Sequence, residues 1–222
     1  MKENNLTLPV HKHKNKKELK LNTADKPDMV LETDITYIPT NAGMTYLMCL
    51  KDVYSKEWIG YNYNTSCTAR DAINAVNDSV TRKYNGTILE ELIIRTDNGP
   101  QYISKEFNDY LKTMNIKHEY IEKETPTENG DIESFHNSIK TDYIWINEID
   151  NYSNGKRIIE SAFIDYNSVR PHSTLMYYPP LQFLYKWNNE RGFKEKYNNY
   201  LKKLKTGYRN RFKRRGVMKS VS

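Results

Sequence analysis

Three runs rich in β-branched and aromatic residues, Val30–Ile38, Met44–Val53 and Trp58–Thr65, follow one another at hairpin distance. Asn41-Ala42-Gly43 punctuates the first gap and Tyr54-Ser55-Lys56 the second, so the chain enters its fold as three consecutive antiparallel strands. After this start, helical and strand patterns alternate. Thr68 or Ser66 caps a helix that carries Asp71 in its first turn and Ala72, Ile73, Val76 and Val80 at helical spacing; Asn85-Gly86 ends it. Leu92–Thr96 is short and nearly all apolar, the pattern of a strand covered on both faces. Ser104 caps a helix holding Phe107, Leu111 and Met114, and Lys117–Ile121 reads as a further strand. Thr125–Gly130 reads as a loop, followed by a helix with Ile132, Phe135, Ile139 and Tyr143 on one face. Helices over about Ser153–Val169 and about Pro180–Leu204, the latter interrupted at Gly192, complete the pattern. The order predicts an α/β layer architecture, a mixed five-stranded sheet flanked by helices.

Charge is unevenly spread. Residues 1–20 hold six lysines against two glutamates, and residues 201–222 hold nine Lys or Arg and no acid. The net charge is +6, so the stretch between them is acidic. Basic ends suit a polyanion, because each neutralised phosphate releases condensed counterions. Lys213, Arg214 and Arg215, with Tyr208 and Phe212 interleaved, point to nucleic acid. Cys49 and Cys67 lie in strand-like contexts and read as reduced core thiols, with no cysteine pair spaced for zinc. No apolar run approaches membrane-spanning length and the N-terminus has no apolar leader core. The expectation is a soluble cytoplasmic protein.

Three acids stand in distinctive settings. Asp34 lies within the first strand, Asp97 closes the Leu92–Thr96 strand before Asn98-Gly99-Pro100, and Glu133 lies on the helix of Ile132 and Phe135. Each has an ordinary reading by itself: Asp34 beside Glu32 on a solvent-facing strand side, Asp97 as a turn former, Glu133 as a solvated helix acid. Together, three carboxylates from separate elements are a donor set for hard divalent ions. Mg²⁺ takes only one or two protein carboxylates each, so three can hold two ions, with one carboxylate shared.

The strings around these acids carry a resemblance. Thr33-Asp34-Ile35-Thr36-Tyr37, Thr96-Asp97-Asn98-Gly99-Pro100-Gln101-Tyr102 and Asn129-Gly130-Asp131-Ile132-Glu133-Ser134-Phe135-His136 resemble the three acidic motifs of the retroviral-integrase-like (DDE) transposases of bacterial insertion sequences. Tyr166-Asn167-Ser168-Val169-Arg170-Pro171-His172, followed by Tyr178-Pro179-Pro180, resembles the signature that follows that family's catalytic helix. The resemblance covers about residues 28–185 and implies a ribonuclease-H-like fold, Mg²⁺ or Mn²⁺ as cofactor with two ions per site, and DNA strand cleavage and transfer. It implies Asp34, Asp97 and Glu133 as catalytic metal ligands. Asn129, one turn before Glu133, would contact DNA or orient it. Lys140, two turns after Glu133, would meet DNA near the scissile phosphate. Arg170 and His172 either touch DNA or pack the last core helix. Asp131 matches no ligand position and reads as a helix-start acid.

Two departures stand out. Asn137 occupies a place where related integrases often carry a lysine, and Leu175 is followed by Met176 where the family usually has glycine. The expected organisation is a basic arm or linker (1–27), an integrase-like core (28–185) and a basic C-terminal helix and tail (186–222). Full-length relatives carry a helix-turn-helix region before the core, so a separate partner supplying one is expected, or this is a truncated copy. DNA ends and target DNA are the expected partners, with a homo-oligomer assembled on them. A hydrolysis-only nuclease of the same fold and a decayed transposase that only binds DNA are the alternatives.

Overall fold

The computed structural model describes residues 21–88, 91–121 and 126–218; for residues 126–129, 205 and 207–218 it describes the backbone alone. The arm through Lys20 and the side chains of Asn129, Lys213, Arg214 and Arg215 lie outside the described residues. The elements run β1 (Val30–Thr40), β2 (Gly43–Asp52), β3 (Trp58–Asn64), α1 (Ala69–Tyr84), β4 (Leu92–Thr96), α2 (Pro100–Ile103), α3 (Lys105–Thr113), β5 (Ile116–Tyr120), α4 (Pro126–Ile139), α5 (Tyr152–Ser168), α6 (Pro180–Asn189) and α7 (Phe193–Met218). A π-helical turn, Lys140–Ile144, extends α4.

The five strands form one mixed sheet in the order β3-β2-β1-β4-β5, the architecture that the sequence pattern predicts. β1–β2 and β2–β3 pair antiparallel, and β4 and β5 continue the sheet parallel to β1. Side chains alternate across the pleat, so each strand feeds two cores. Leu31, Met48, Leu50 and Ile94 pack with Val76 of α1 and Phe107 and Leu111 of α3 on one side. Ile38, Leu47, Cys49 and Trp58 pack with Ile132 and Phe135 of α4 and Ile159 and Tyr166 of α5 on the other.

Local chemistry explains the element ends. Thr68 caps α1 in a reciprocal capping box with Asp71, and Asn85 ends the helix in the left-handed conformation at φ 51. Ser104 caps α3 by accepting from the Phe107 amide at 3.2 Å. At Gly60 a Cβ would meet the Ser79 backbone nitrogen at 2.6 Å, so only glycine lets α1 cross β3 this closely.

Residues after α5 build a third cluster. Leu175, Phe183, Phe193 and Tyr197 are buried together, with Tyr54 of the β2–β3 turn and Trp187 packed against them. Tyr54 stands 5.7 Å from Tyr197 and 5.2 Å from Trp187, ring centre to ring centre.

Two expectations need correction. The stretch read as a loop before the catalytic helix is helical from Pro126; proline is tolerated at a first helical position, where its missing N–H has no partner to lose. Asp131 is therefore not a helix-start acid but sits well inside α4, where it meets two lysines.

Candidate active site

Asp34 and Asp97 are brought near each other by strand register. Val30 pairs with Ile93, Leu31 with Ile94 and Glu32 with Arg95 in the parallel β1–β4 ladder. Asp34 and Asp97 each stand two residues beyond the last pair of this ladder, at the same end of β1 and β4, and the Asp97 charge reaches Asp34. Asp34 pairs across β2 with Cys49, whose side chain lies in the cluster under α4 and α5. The Asp34 carboxylate therefore faces α4 rather than open solvent.

The turn after β4 fixes Asp97. Its Oδ1 accepts from the Gly99 amide at 2.9 Å, and Asn98 Nδ2 donates to the Ile121 carbonyl at 2.8 Å, tying the turn to the end of β5. A Cβ at Gly99 would lie 2.9 Å from Asp97 Oδ1 and 2.3 Å from Gln101 Nε2. Gly99 has φ −60 and ψ 147, open to any residue, so the constraint is contact, not backbone strain. Gly99→Ala should leave urea stability within about 1 kcal/mol of wild type. It should also displace the Asp97 carboxylate and with it one of the charges that raise Asp34, so the Asp34 titration should shift in the variant.

Glu133 projects from α4, exposed, between Ile132 and Phe135, which are buried against the sheet. Its charge reaches the strand acids. Burial is the main reason that the Asp34 carboxyl is raised to about 6; the Asp97 and Glu133 charges raise it further, while the Ile35 amide and Lys140 pull it down. Lys140 thus stands within electrostatic reach of the strand acid, where the sequence places it two turns beyond Glu133. The three carboxylates share one field without closing on each other, and among the described residues no three His, Cys, Asp or Glu side chains form a tight ligand cluster. His136 completes the wall: its Nδ1 is 4.0 Å from Asp34 Oδ2, and burial, with help from Lys140 and Lys51, lowers it to about 3, so the ring is neutral at physiological pH.

Tyr166, Asn167, Arg170 and His172 brace this site from behind. Asn167 exchanges two hydrogen bonds with the Trp58 backbone, at 3.0 and 2.8 Å, and Tyr166 donates to the Lys56 carbonyl at 3.0 Å. Arg170 reaches Asp142 Oδ2 at 2.8 Å and Ser138 Oγ at 3.1 Å. His172 packs its ring 4.8 Å from Tyr166. Of the two roles open to Arg170 and His172, packing is the one these contacts supply.

Sequence reasoning missed a set of buried charges beneath α4. Lys51 Nζ of β2 lies 2.8 Å from Asp131 Oδ2, Lys56 Nζ is also 2.8 Å from it, and Arg95 Nη1 of β4 lies 3.2 Å from Glu32 Oε1. Burial works against both members of the first pair, pulling the Lys51 ammonium down and the Asp131 carboxyl up. Two ammoniums around one carboxylate outweigh it for Asp131, which sits at about 2. A signal was available: Glu32 and Lys51 are charged residues inside apolar strand runs, which buried pairing explains.

The mixed β3-β2-β1-β4-β5 sheet flanked by helices is of the ribonuclease-H-like class. Comparison with known proteins agrees. Two descriptions of the Integrase core domain match, over residues 24–126 and 114–180. The chain belongs to the integrase core domain family and carries the integrase-like core of insertion-sequence transposases. It is 29% identical over 170 residues to transposase InsF of insertion sequence IS3A from Escherichia coli, covering 72% of this chain and 55% of that protein. It is 29% identical over 162 residues to the transposase of IS904 from Lactococcus lactis, covering 72% of this chain and 62% of that one. The chain thus spans little more than half the length of these curated relatives. Among solved structures, the simian T-cell lymphotropic virus intasome matches with TM-score 0.62 at 20% identity, over 74% of this chain and 56% of that one. The HTLV-2 integrase catalytic core with magnesium matches with TM-score 0.56 at 21% identity, over 71% of this chain and 96% of that one. These two likenesses show the fold.

Proposed function

We propose that this chain is the catalytic core of an insertion-element transposase, a DDE-type polynucleotidyl transferase that cleaves DNA strands and transfers them to a target. One observation supports the reading: Asp34 and Asp97 stand just beyond the last β1–β4 pair, and the charges of both Asp97 and Glu133 of α4 act on Asp34.

The donor set fits a hard divalent cation. The Asp97 and Glu133 charges add to burial in raising the proton affinity of Asp34, and a cation between the three carboxylates would relieve that cost. Asp34, Asp97 and Glu133 would hold Mg²⁺ or Mn²⁺, as two ions. When bound, such ions activate a water or a DNA 3′-hydroxyl and neutralise phosphoryl charge. The magnesium named for the HTLV-2 core supports this choice.

The remaining residues bind and position. Lys140 supplies a cation for a phosphate flanking the reacting one. Asn129, Lys213, Arg214 and Arg215 join it as proposed DNA contacts from sequence alone. Arg170 and His172 hold the end of α5 against the site and reach DNA only from its margin. Hydroxyls at Ser134 and Ser138 line the open cleft beside Glu133, with Asn137. The substrates would be the element's ends and a target duplex. Assembly of two or more copies on DNA follows from the need to join two ends, and a separate helix-turn-helix partner would recognise them. No helix among the described residues is long and apolar enough to cross a membrane, in keeping with action on DNA in the cytoplasm.

The test is direct. Duplexes from the DNA flanking the coding region, including a pre-cut end with a free 3′-hydroxyl, are incubated with the protein and Mg²⁺ or Mn²⁺. Metal-dependent joined products are expected. Cleavage without joining would indicate a hydrolysis-only nuclease, and binding alone a decayed transposase.

A further inference from the structure

The paired charges between α4 and the sheet, buried at Glu32, Lys51 and Arg95 and partly exposed at Asp131, form a chain that crosses the sheet. Glu119 Oε2 of β5 lies 2.7 Å from Arg95 Nε of β4, and Arg95 Nη1 lies 3.2 Å from Glu32 Oε1 of β1. Glu32 Oε2 lies 3.9 Å from Lys51 Nζ of β2, and Lys51 Nζ lies 2.8 Å from Asp131 Oδ2 of α4, which Lys56 also meets at 2.8 Å. Glu32, Lys51 and Arg95 are 2%, 1% and 6% exposed. Three members stand two residues before an acid of the site: Glu32 before Asp34, Arg95 before Asp97, Asp131 before Glu133.

We infer that this ionic chain registers the three acid-bearing elements against each other, with Asp131 as the positioning residue for Glu133. The inference rests on the metal-site reading above.

The argument is one of directionality. Ile132, Phe135 and Ile139 hold α4 to the sheet by apolar burial, which has no directional preference and tolerates small rotations or slides of the helix. Such movement is costly for Glu133. A group at the side-chain radius of about 5–6 Å moves by roughly 2 Å when its helix rotates by about 20°. Misplacement by an ångström in an active site costs orders of magnitude in rate. Asp131 removes that freedom, because its carboxylate is gripped by two ammoniums from fixed positions on β2 and the β2–β3 turn. On the helix wheel Asp131 and Glu133 lie about 200° apart, on opposite flanks of the buried Ile132, Phe135 and Ile139 stripe, so a grip on one fixes the rotation that sets the other. On the strands the relation is simpler. Residues two apart share a face, so Arg95 bonded to Glu32 pins β4 to β1 immediately before the two strand acids, and Glu119 pins Arg95.

The experiment uses the full chain and Mn²⁺ alone as the probe, read as the metal-dependent rise in melting temperature, with strand cleavage in parallel. Wild type, Asp34→Asn, Asp131→Asn and the double variant Lys51→Met/Asp131→Leu are compared. Wild type should bind Mn²⁺ and Asp34→Asn should not. Asp131→Asn should bind Mn²⁺ about 10–100-fold more weakly, as variants of groups supporting metal ligands do. Its kcat should fall while its KM for DNA stays within about twofold. The double variant removes the Lys51–Asp131 pair as a unit and leaves Glu32 to Arg95 alone, so its Mn²⁺ response is measured from its own metal-free melting temperature, and its kcat at a temperature where its metal-free form is fully folded. While folded, it should show the same weakened Mn²⁺ affinity and lowered kcat as Asp131→Asn. Wild-type Mn²⁺ affinity in either Asp131 variant would overturn the positioning role and leave the metal site standing. A wild-type Mn²⁺ response that persists in Asp34→Asn would instead sink the metal-site reading, and this inference with it.

Discussion

Asp34→Asn should move stability and activity in opposite directions. In the unfolded chain the carboxyl titrates near 3.8, and in the fold it is raised to about 6 by burial and by the neighbouring acids. As pH rises through this interval the unfolded chain ionises first while the folded one keeps its proton, so stability falls. Above about 6 the full cost remains. A tenfold change in proton affinity is roughly 1.4 kcal/mol. With the side chain 23% exposed, solvent screening reduces the cost at neutral pH to about 2 kcal/mol. Asparagine removes that charge. In metal-free buffer at pH 7.5 the variant should therefore unfold at higher urea than wild type, and it should lose the decline between pH 4 and 6. Cleavage and joining should drop on the order of a thousandfold, while gel-shift affinity for DNA stays close to wild type. Asp97→Asn and Glu133→Gln should lose activity to the same extent. Because each removes a charge that raises Asp34, each should also move the Asp34 window toward lower pH. Wild-type cleavage in any of the three would end the assignment of the site.

The contrast between what was readable and what was not follows from how local each signal is. The β1–β3 meander announced itself through β-branched runs broken by short turns, and α1 through Thr68 and Asp71, since a cap is decided within four residues. β1 and β4 were legible as strands, but not their parallel pairing, which depends on the crossover between them. The ionic chain was not readable in the same way. Glu32, Lys51, Arg95 and Asp131 come from four elements, and nothing near Lys51 in the sequence says that its partner lies eighty residues away. Glu32 looked like part of a solvent-facing strand side because α4, which covers it, is not visible from β1. The start of α4 was missed for a different reason: Pro126, Asn129 and Gly130 carry turn propensity, and packing of Ile132 and Phe135 overrides it. Met176 is the reverse case. Where the family usually has glycine, Met176 adopts φ 57 and Tyr177 φ 64. The turn is kept with left-handed residues that cost about 1–2 kcal/mol each, and the Leu175–Tyr197 cluster around it supplies the compensation.

Trp58→Ala should be the most damaging apolar substitution in the chain. Trp58 is fully buried at the point where β3, α4 and α5 meet. Its ring lies 5.4 Å from Phe135 of α4, 5.3 Å from Phe163 and 6.1 Å from Tyr166 of α5, mostly edge to face. Its Nε1 donates to the Gly60 carbonyl at 3.1 Å, so even its polar atom is satisfied. Truncation removes the ring and leaves a cavity whose walls are other large aromatics that cannot collapse into it, at a cost of about 3–5 kcal/mol. That is a large share of the 5–15 kcal/mol typical of a domain. Trp58→Phe, which keeps a ring but loses the Gly60 bond, should cost about 1–2 kcal/mol. Urea denaturation with an unchanged m-value checks both. The alanine variant carries a second consequence. Phe135 sits two residues after Glu133 on α4, and it leans on Trp58 at 5.4 Å and Tyr166 at 5.1 Å. At a temperature where Trp58→Ala is still fully folded, cleavage should already be lower than in wild type, because the helix that presents Glu133 has lost part of its seat. Full activity in the folded variant would mean that the remaining α4 contacts, the Lys51–Asp131 pair and the Ile132, Ile139 and Tyr166 packing, hold Glu133 without Trp58.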